Sequence, residues 1–223
     1  MTKTREHITS AVEHILKDIP PDTILVAAAK GRSVEELQIA LEAGVRYFGE
    51  NYIQEAETVI PPLREKASWH FIGHLQRNKV NKAALLFDMI ESLDSIRLAE
   101  ALSKACEREG ILMPVLIEVN SGEEENKDGI PPDNAVQLAE LIDQLPHLKL
   151  KGLMTMGPAS GDPEEARPYF QLTRHLFEKI AALNLPNSDM QYLSMGMSNS
   201  YHIALEEGAN IIRIGTRIFG PRV

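Results

Sequence analysis

Runs of apolar residues without polar alternation recur along the chain and predict buried parallel strands. The first run, from Ile24 to Ala29, ends at Lys30, and the clearest extends from Met113 to Asn120. Eight strands are predicted in all, over residues 24–30, 45–48, 69–73, 87–91, 113–120, 150–155, 191–194 and 210–214. No linker interrupts their even spacing, which indicates one repeated unit.

Between the predicted strands, apolar residues recur every three or four positions, which is typical of amphipathic helices. The first such segment is Thr4 to Asp18, and Ser33 followed by Glu36 forms a capping-box pattern at the start of the second. The predicted helices cover residues 4–18, 34–43, 52–66, 76–86, 95–109, 131–145, 162–184 and 199–207.

The alternation of eight strands with helices predicts an α/β protein built as a single (β/α)8 TIM-type barrel with an extra N-terminal helix. We expect residues 1–223 to form one barrel domain, and a doubly wound open sheet is the alternative. Too few residues follow the eighth strand for a full closing helix. We therefore expect the helix at residues 4–18 to cover that gap.

Composition narrows the classes of partner. The net charge of −9 argues against non-specific binding to nucleic acid or to anionic lipid, yet it leaves room for a local basic pocket. Cys106 is the only cysteine, so an internal disulfide and a thiolate metal site are both excluded, and its helical pattern predicts core packing. An apolar leader and a membrane-spanning run are both missing, so we expect a cytoplasmic protein without membrane association. A mostly polar outer surface favours a monomer.

Lys30 is the first candidate for chemistry, because active sites of parallel α/β proteins lie at the carboxyl ends of their strands. A lysine that leaves an apolar wall is poorly hydrated, which favours the neutral amine that a Schiff base requires. The alternative is that Lys30 is simply the first solvated residue of a loop.

The loops after the seventh and eighth strands are candidates for a phosphate site, since the fold most often places one there. Ser194 to Ser200 contains Gly196 and hydroxyl groups ahead of a helix, and Gly215-Thr216 follows the eighth strand. The alternative is that Ser198 and Ser200 only cap the helix.

Two polar residues at the strand ends have two interpretations each. Arg213 lies inside a strand, so its guanidinium must either pair with a buried carboxylate or face a ligand at the barrel mouth. Asn51 could cap the helix after the second strand or turn its amide into the mouth.

Five further residues are less promising. His70 and His74 lie around the third strand, but without a third ligand they do not predict a metal site. Lys127, in an acidic loop, is most simply a solvated charge. Met154 and Met156 end the sixth strand and are expected in the core or in the lining of a pocket.

Six ordered motifs resemble those of the pyridoxal phosphate homeostasis protein family and cover nearly the whole chain. They are Val26-Ala27-Ala28-Ala29-Lys30, Phe48-Gly49-Glu50-Asn51-Tyr52-Ile53-Gln54-Glu55, Trp69-His70-Phe71-Ile72-Gly73-His74-Leu75-Gln76-Arg77-Asn78-Lys79, Gly152-Leu153-Met154-Thr155-Met156, Leu193-Ser194-Met195-Gly196-Met197-Ser198 and Arg213-Ile214-Gly215-Thr216-Arg217-Ile218-Phe219-Gly220.

The resemblance implies a barrel like the N-terminal domain of alanine racemase, with pyridoxal 5′-phosphate held as a Schiff base on Lys30. It also implies a set of cofactor-binding residues around this lysine, namely Asn51, Met195, Ser198, Arg213, Gly215 and Thr216. Within that set, Ser198, Gly215 and Thr216 would bind the phosphate, and Arg213 would face the pyridine nitrogen. The family has no established catalytic turnover, and the implied role is storage, buffering and delivery of the cofactor to apo-enzymes.

Two positions depart from the family pattern. Ser200 stands where the family usually has an acidic residue, and the basic tail of many members is absent after Val223. Lys127 matches a family lysine that is sometimes discussed as a secondary aldehyde site.

The implied site favours modest chemistry. An arginine can only donate to the pyridine nitrogen, which then stays unprotonated and makes the ring a weak electron sink. A slow amino-acid racemase is the alternative, but it needs a second acid/base group, which racemases of this fold take from a separate domain that we do not expect in these 223 residues. The possible substitutes are Tyr47, Tyr52, Tyr169, Tyr192 and Tyr201. A barrel aldolase that uses Lys30 on a sugar phosphate is a third possibility.

Overall fold

Eight parallel strands close into a barrel, because the first strand pairs with both the second and the eighth. The computed structural model describes residues 2–124, 127–158 and 161–221. The strands are β1 (Ile24–Ala28), β2 (Tyr47–Glu50), β3 (Ser68–Phe71), β4 (Met89–Leu93), β5 (Met113–Val119), β6 (Leu148–Thr155), β7 (Tyr192–Ser194) and β8 (Ile211–Ile214). Closure confirms the predicted barrel and excludes the open sheet.

Helices connect successive strands on the outside of the barrel. They are α1 (Thr2–Asp18), α2 (Val34–Glu42), α3 (Ile53–Val59), α4 (Val80–Leu86), α5 (Ile96–Glu109), α6 (Ala135–Asp143), α7 (Arg167–Ala181), α8 (Tyr201–Glu206) and α9 (Thr216–Phe219). Short 3-10 helices cover Pro61–Lys66, Arg77–Lys79, Pro132–Asn134 and Pro163–Ala166. The predicted helix at residues 52–66 is thus two elements, because Pro61 lacks the N–H that would continue α3.

Strand alternation divides the apolar residues into two layers. A large cluster joins outward-facing strand residues such as Leu25 and Ile212 to the buried faces of the helices. A small cluster lies in the barrel interior, and all of its buried members are strand residues. Its buried members are Val26, Met89, Leu116, Met154 and Ile211.

Helix α1 covers the gap after the eighth strand, as expected. It packs against α2 and α9, and its own residues Ile8, Val12 and Ile15 are buried. The hydroxyl of Tyr201 also donates to Asp18, 2.6 Å away. The short helix α9 was not predicted.

Two strands lie two residues later than the apolar pattern predicts. The expected strand at residues 45–48 is observed at 47–50, and that at 87–91 is observed at 89–93. In both cases a buried glutamate, Glu50 or Glu91, continues the strand where a charge in the sequence suggests that it ends. Phe87 instead packs edge-on against Phe71, with 5.1 Å between ring centroids.

Cys106 is fully buried on α5, which confirms its predicted place in the core. Burial raises the pKa of its thiol to about 11. Among the described residues, every helix is too short or too polar to cross a lipid bilayer.

Candidate functional site

A pocket of about 490 Å³ opens at the carboxyl ends of the strands. It brings together six of the seven residues that the sequence predicts for a cofactor site. The lining residues are Ala28, Lys30, Arg32, Asn51, Ile72, Met156, Pro158, Met197, Ser198, Asn199, Ser200, Arg213, Gly215 and Thr216.

Lys30 lies on the wall of this pocket, two residues after the end of β1. Its Nζ atom is 5.2 Å from the centroid of the Tyr52 ring, within the range of a cation–π contact. The following turn is fixed by the N–H of Gly31, which donates to the Glu55 carboxylate at 2.6 Å. On the other side of Lys30, the N–H of Ala29 donates to the Gly49 carbonyl at 2.8 Å, so the backbone is held both before and after the lysine.

Hydroxyl groups from two loops meet in the lining of the same pocket. Thr216 Oγ1 donates to Ser198 Oγ at 3.2 Å, which joins the start of α9 to the loop after β7. Ser200 occupies the N-cap position of α8, but its side chain makes no capping bond to that helix and instead accepts from the Met197 N–H at 3.4 Å. Ser198 is thus directed towards Thr216, which supports a ligand-binding role.

Met195 and Gly196 do not line the pocket among the described residues. Met195 is fully buried in the outer hydrophobic layer, because β7 directs Ser194 inward and the next side chain outward. Gly196 has a φ of +89°, and a Cβ there would come within 2.8 Å of the Tyr201 Cα. The absence of a side chain at Gly196 therefore allows close packing against α8. The sequence pattern suggests a different reason, the close approach of the backbone to a ligand.

Arg213 lies near a buried carboxylate, that of Glu91, and also lines the pocket, so its surroundings are compatible with both predicted interpretations. Its guanidinium is almost fully buried inside the barrel and also lines the pocket. Nη2 donates to the Thr155 carbonyl at 2.8 Å, and Nη1 donates to the Ser194 hydroxyl. Burial lowers the pKa of this guanidinium, while the charges of Glu91 and Glu118 raise it.

Glu91 and His70 are connected to Arg213 through Ser194 inside the barrel. This connection was not predicted from the sequence. The Glu91 carboxylate accepts from Ser194 at 2.5 Å and from His70 Nδ1 at 2.6 Å. Burial raises the pKa of Glu91, but His70, Arg213 and Ser194 together lower it below its ordinary value. A glutamate inside a strand that is buried along its whole length was the available signal.

Two other buried carboxyl groups, Glu118 and Glu50, have no side-chain hydrogen-bond partner among the residues that the structure describes. Burial raises the pKa of Glu118 to about 8, and the charge of Arg213 only partly opposes this. Burial and the neighbouring Glu55 raise the pKa of Glu50 to about 8, against the smaller effects of Asn51 and Lys30. Both groups are therefore mostly neutral at pH 7.

Asn51 lines the pocket and does not cap α3, because Tyr52 occupies the N-cap position. The loop after β3 passes very close to it, since a Cβ on Gly73 would come within 2.4 Å of the Asn51 carbonyl oxygen. Only glycine leaves this space, so the loop packs directly on the backbone of Asn51.

The pocket is cationic although the protein is acidic overall. Lys30, Arg32 and Arg213 line it, and the described lining residues include no aspartate or glutamate. Arg32 was not predicted as a site residue, and it donates to the carbonyls of Phe219 and Gly220 at 3.2 and 2.5 Å. Three cations around one cavity favour an anionic ligand.

The remaining candidates have structural surroundings. His74 is half exposed beside Asp128, and no three His, Cys, Asp or Glu residues within 2–124, 127–158 and 161–221 are placed to bind a metal. Lys127 is not merely solvated, because it pairs with Glu124 at 2.6 Å and approaches the Gly157 carbonyl. Met154 lies in the barrel interior and Met156 lines the pocket, as expected.

The five tyrosines considered as a second acid/base group are not among the described lining residues of the pocket, although the Tyr52 ring lies beside Lys30. They are Tyr47, Tyr52, Tyr169, Tyr192 and Tyr201. The hydroxyl of Tyr201 is bound to Asp18, and burial raises its pKa to about 12.

Comparison with known proteins identifies one family model and several relatives that share one name. Residues 6–223 match the family model of the alanine racemase N-terminal domain. A pyridoxal phosphate homeostasis protein of Aquifex aeolicus is 40% identical over 199 residues, covering 89% of this chain and 86% of the relative. The human protein of the same name is 36% identical over 230 residues, covering 97% and 83%.

Solved structures agree with this result. PipY of Synechococcus elongatus, determined with PLP bound, is 31% identical with a TM-score of 0.88, covering 96% of this chain and all of PipY. An alanine racemase of Clostridium difficile has a TM-score of 0.82 at 15% identity, covering 97% of this chain and 57% of that one. The second comparison shows a shared fold.

Proposed function

This chain belongs to the pyridoxal phosphate homeostasis proteins, within the alanine racemase N-terminal domain family, and we propose that it binds pyridoxal 5′-phosphate (PLP) as a Schiff base on Lys30. Its role is to store, buffer and deliver this cofactor in the cell, without catalytic turnover. We further propose that one barrel domain, residues 1–223, provides the whole site.

The observation that supports this proposal is the cationic pocket, which is lined by Lys30, by paired hydroxyls and by a buried guanidinium. PLP has a phosphate dianion, an aldehyde and a ring nitrogen that can accept a hydrogen bond. The donors in the pocket match these three groups: hydroxyls for the phosphate, an amine for the aldehyde and a guanidinium for the ring nitrogen. The residues present therefore fit the cofactor.

Each residue has a defined task in this assignment. Ser198, Thr216 and the backbone at Gly215 bind the phosphate, and Arg32 adds a positive charge to the same pocket. Lys30, after it releases one ammonium proton, bonds through its nitrogen to the aldehyde carbon, and the aldehyde oxygen leaves as one water with the two remaining hydrogens. Arg213 donates to the ring nitrogen, and Asn51 lines the wall beside it.

A racemase is less well supported, because its reaction needs acid/base groups on both faces of the substrate α-carbon. Lys30 is one such group, but the described lining offers no tyrosine for the other. Delivery to apo-enzymes, a cytoplasmic location and a monomeric state remain predictions.

The first experiment loads the purified protein with PLP and records its visible absorption before and after borohydride reduction. Peptide mapping of the reduced protein then locates the adduct. We expect a band that is lost on reduction and a pyridoxyl-phosphate adduct on the Lys30 peptide. Lys30→Ala should abolish both, whereas Lys127→Ala, which removes the nearby loop lysine, should leave both intact.

A colourless protein, or one modified mainly at other lysines, would contradict the assignment. Two assays of the PLP-loaded protein distinguish the carrier hypothesis from the enzyme hypothesis. A carrier restores the activity of an apo-enzyme and leaves the α-hydrogen of amino acids unexchanged in deuterated water, whereas a racemase exchanges that hydrogen in a Lys30-dependent manner.

A further inference from the structure

The hydrogen-bond donors of Arg213 are partly committed inside the barrel. A guanidinium has five N–H donors and no acceptor. One donor is directed from Nη1 to Ser194 and another from Nη2 to the Thr155 carbonyl. Because Arg213 also lines the pocket, its other donors are available to a ligand. The orientation of the guanidinium therefore decides what the pocket can bind at this point.

Donor and acceptor chemistry fixes the direction of every bond behind Arg213. The Ser194 oxygen must accept from the guanidinium, so its single hydrogen goes to Glu91, 2.5 Å away. Glu91, as a carboxylate, can only accept, so the hydrogen between it and His70 belongs to Nδ1 of the imidazole. His70, Glu91, Ser194 and Arg213 thus form one directed chain across β3, β4, β7 and β8.

The serine in this chain separates the two opposite charges. Nη1 of Arg213 is 3.9 Å from the nearer oxygen of Glu91, beyond direct hydrogen-bond range. A direct bidentate pair would take two parallel N–H groups of the guanidinium and turn its plane towards β4. With Ser194 between them, Glu91 compensates the buried positive charge while only one donor is used.

We propose that His70, Glu91 and Ser194 are positioning residues, which hold Arg213 so that a free N–H faces a ring-nitrogen acceptor in the pocket. This inference rests on the proposed function and deepens it. The pocket then selects heteroaromatic aldehyde phosphates whose ring nitrogen is unprotonated. An analogue with a ring C–H in place of that nitrogen leaves the buried donor without a partner and binds more weakly.

A cycle of two ligands and several variants tests this selection. The ligands are PLP and its analogue with carbon in place of the ring nitrogen, and the variants are Ser194→Ala and Glu91→Gln. Ser92→Ala is the matched control, because it removes another buried hydroxyl, one with no hydrogen-bond partner among the described residues. Wild type should prefer PLP over the analogue by about tenfold.

Ser194→Ala should remove most of this preference by weakening PLP about tenfold, while affinity for the analogue changes less than about twofold. Ser92→Ala should keep the preference. With PLP labelled with ¹⁵N in the ring, the nitrogen resonance should move in Ser194→Ala and move less in Glu91→Gln, which keeps an acceptor oxygen but loses the charge. Thermal unfolding verifies that each variant is folded. If Ser194→Ala does not fold, Glu91→Gln provides the test in its place.

Equal weakening of both ligands by Ser194→Ala would overturn the inference, because it indicates general damage to the pocket. An unchanged preference and an unchanged nitrogen resonance in both variants would overturn it as well. In those two cases wild type still forms the Lys30 adduct, so the proposed function stands. If wild type forms no adduct, the proposed function fails and the inference fails with it.

Discussion

Glu50 on β2 and Glu91 on β4 are both fully buried in the same barrel, yet their surroundings differ. Glu91 lies inside the barrel, where both of its oxygens are hydrogen-bonded and the pKa is lowered. Alternation along β2 places Glu50 on the outer face of the sheet, where Oε1 has no partner among the described residues and the pKa is raised to about 8. The partners of a buried carboxyl group, rather than its burial, therefore determine its charge.

The strongest test of this comparison replaces Glu91 with leucine. The change leaves the Arg213 charge buried without its compensating carboxylate, so we expect the free energy of unfolding to fall by about 3–5 kcal/mol. Urea unfolding monitored by circular dichroism measures the loss. Glu91→Gln loses the charge but keeps a hydrogen-bond acceptor, so it should lose less than Glu91→Leu, and an equal loss in both variants would mean that the charge alone accounts for the effect. A loss below about 1 kcal/mol in Glu91→Leu would contradict the need for charge compensation here.

Glu50→Gln should change the pH dependence of stability. The native state holds the Glu50 proton up to about pH 8, whereas the unfolded chain releases it near its ordinary pKa of 4.5. Native protein therefore binds more protons in this window, and its stability falls as pH rises from about 4.5 to 8. Since glutamine resembles the protonated acid, the variant should gain about 2–4 kcal/mol over wild type by pH 8 and little at pH 4.5.

Urea unfolding at pH values from 5 to 8, the range in which Glu50 is expected to titrate, tests this prediction. Parallel stability curves for wild type and Glu50→Gln would contradict it. Glu91→Gln provides the contrast, because a lowered pKa gives stability that is present above the ordinary pKa and is lost as pH falls. Wild type and Glu91→Gln should therefore converge at acid pH instead of diverging at alkaline pH.

Ser92→Ala should have the smallest effect. Its buried hydroxyl lacks a hydrogen-bond partner among the described residues, so alanine removes an unsatisfied polar group. We expect the free energy of unfolding to rise by about 0–1 kcal/mol in the same urea assay. A loss of more than about 1 kcal/mol would mean that the hydroxyl is in fact satisfied, for example by buried water.

The barrel could be predicted because each strand run and each helix period is a local property of the sequence. The capping box of Ser33 and Glu36 illustrates this, since both of its hydrogen bonds are observed. Strand boundaries were less accurate at Glu50 and Glu91, because a charge usually ends a buried strand. Whether it does so depends on protonation and on partners from distant strands, which no local pattern records.

The candidate site was predictable to the same degree. Lys30, Ser198 and Thr216 follow strand ends, and the fold brings all strand ends to one face, so order along the chain was sufficient. Strand alternation could have placed the Met195 side chain outside the pocket lining once Ser194 was known to point inward. The link from His70 to Arg213 joins β3 to β8 through side chains, and only the closed structure places these strands across one interior.

The packing of α1 against α2 and α9 has a consequence for the newly made chain. The apolar face of α1 is completed by contacts with α9, at the end of the chain. A second contact of the same range is the hydrogen bond from Arg32 to the carbonyl of Gly220, 188 positions later. At about 5–20 residues per second, the ribosome needs roughly 10–40 s to reach α9 after α1 has emerged. During that interval Ile8, Val12 and Ile15 lack their α9 neighbour, so early chain segments present an apolar stripe that chaperones or other nascent chains can bind.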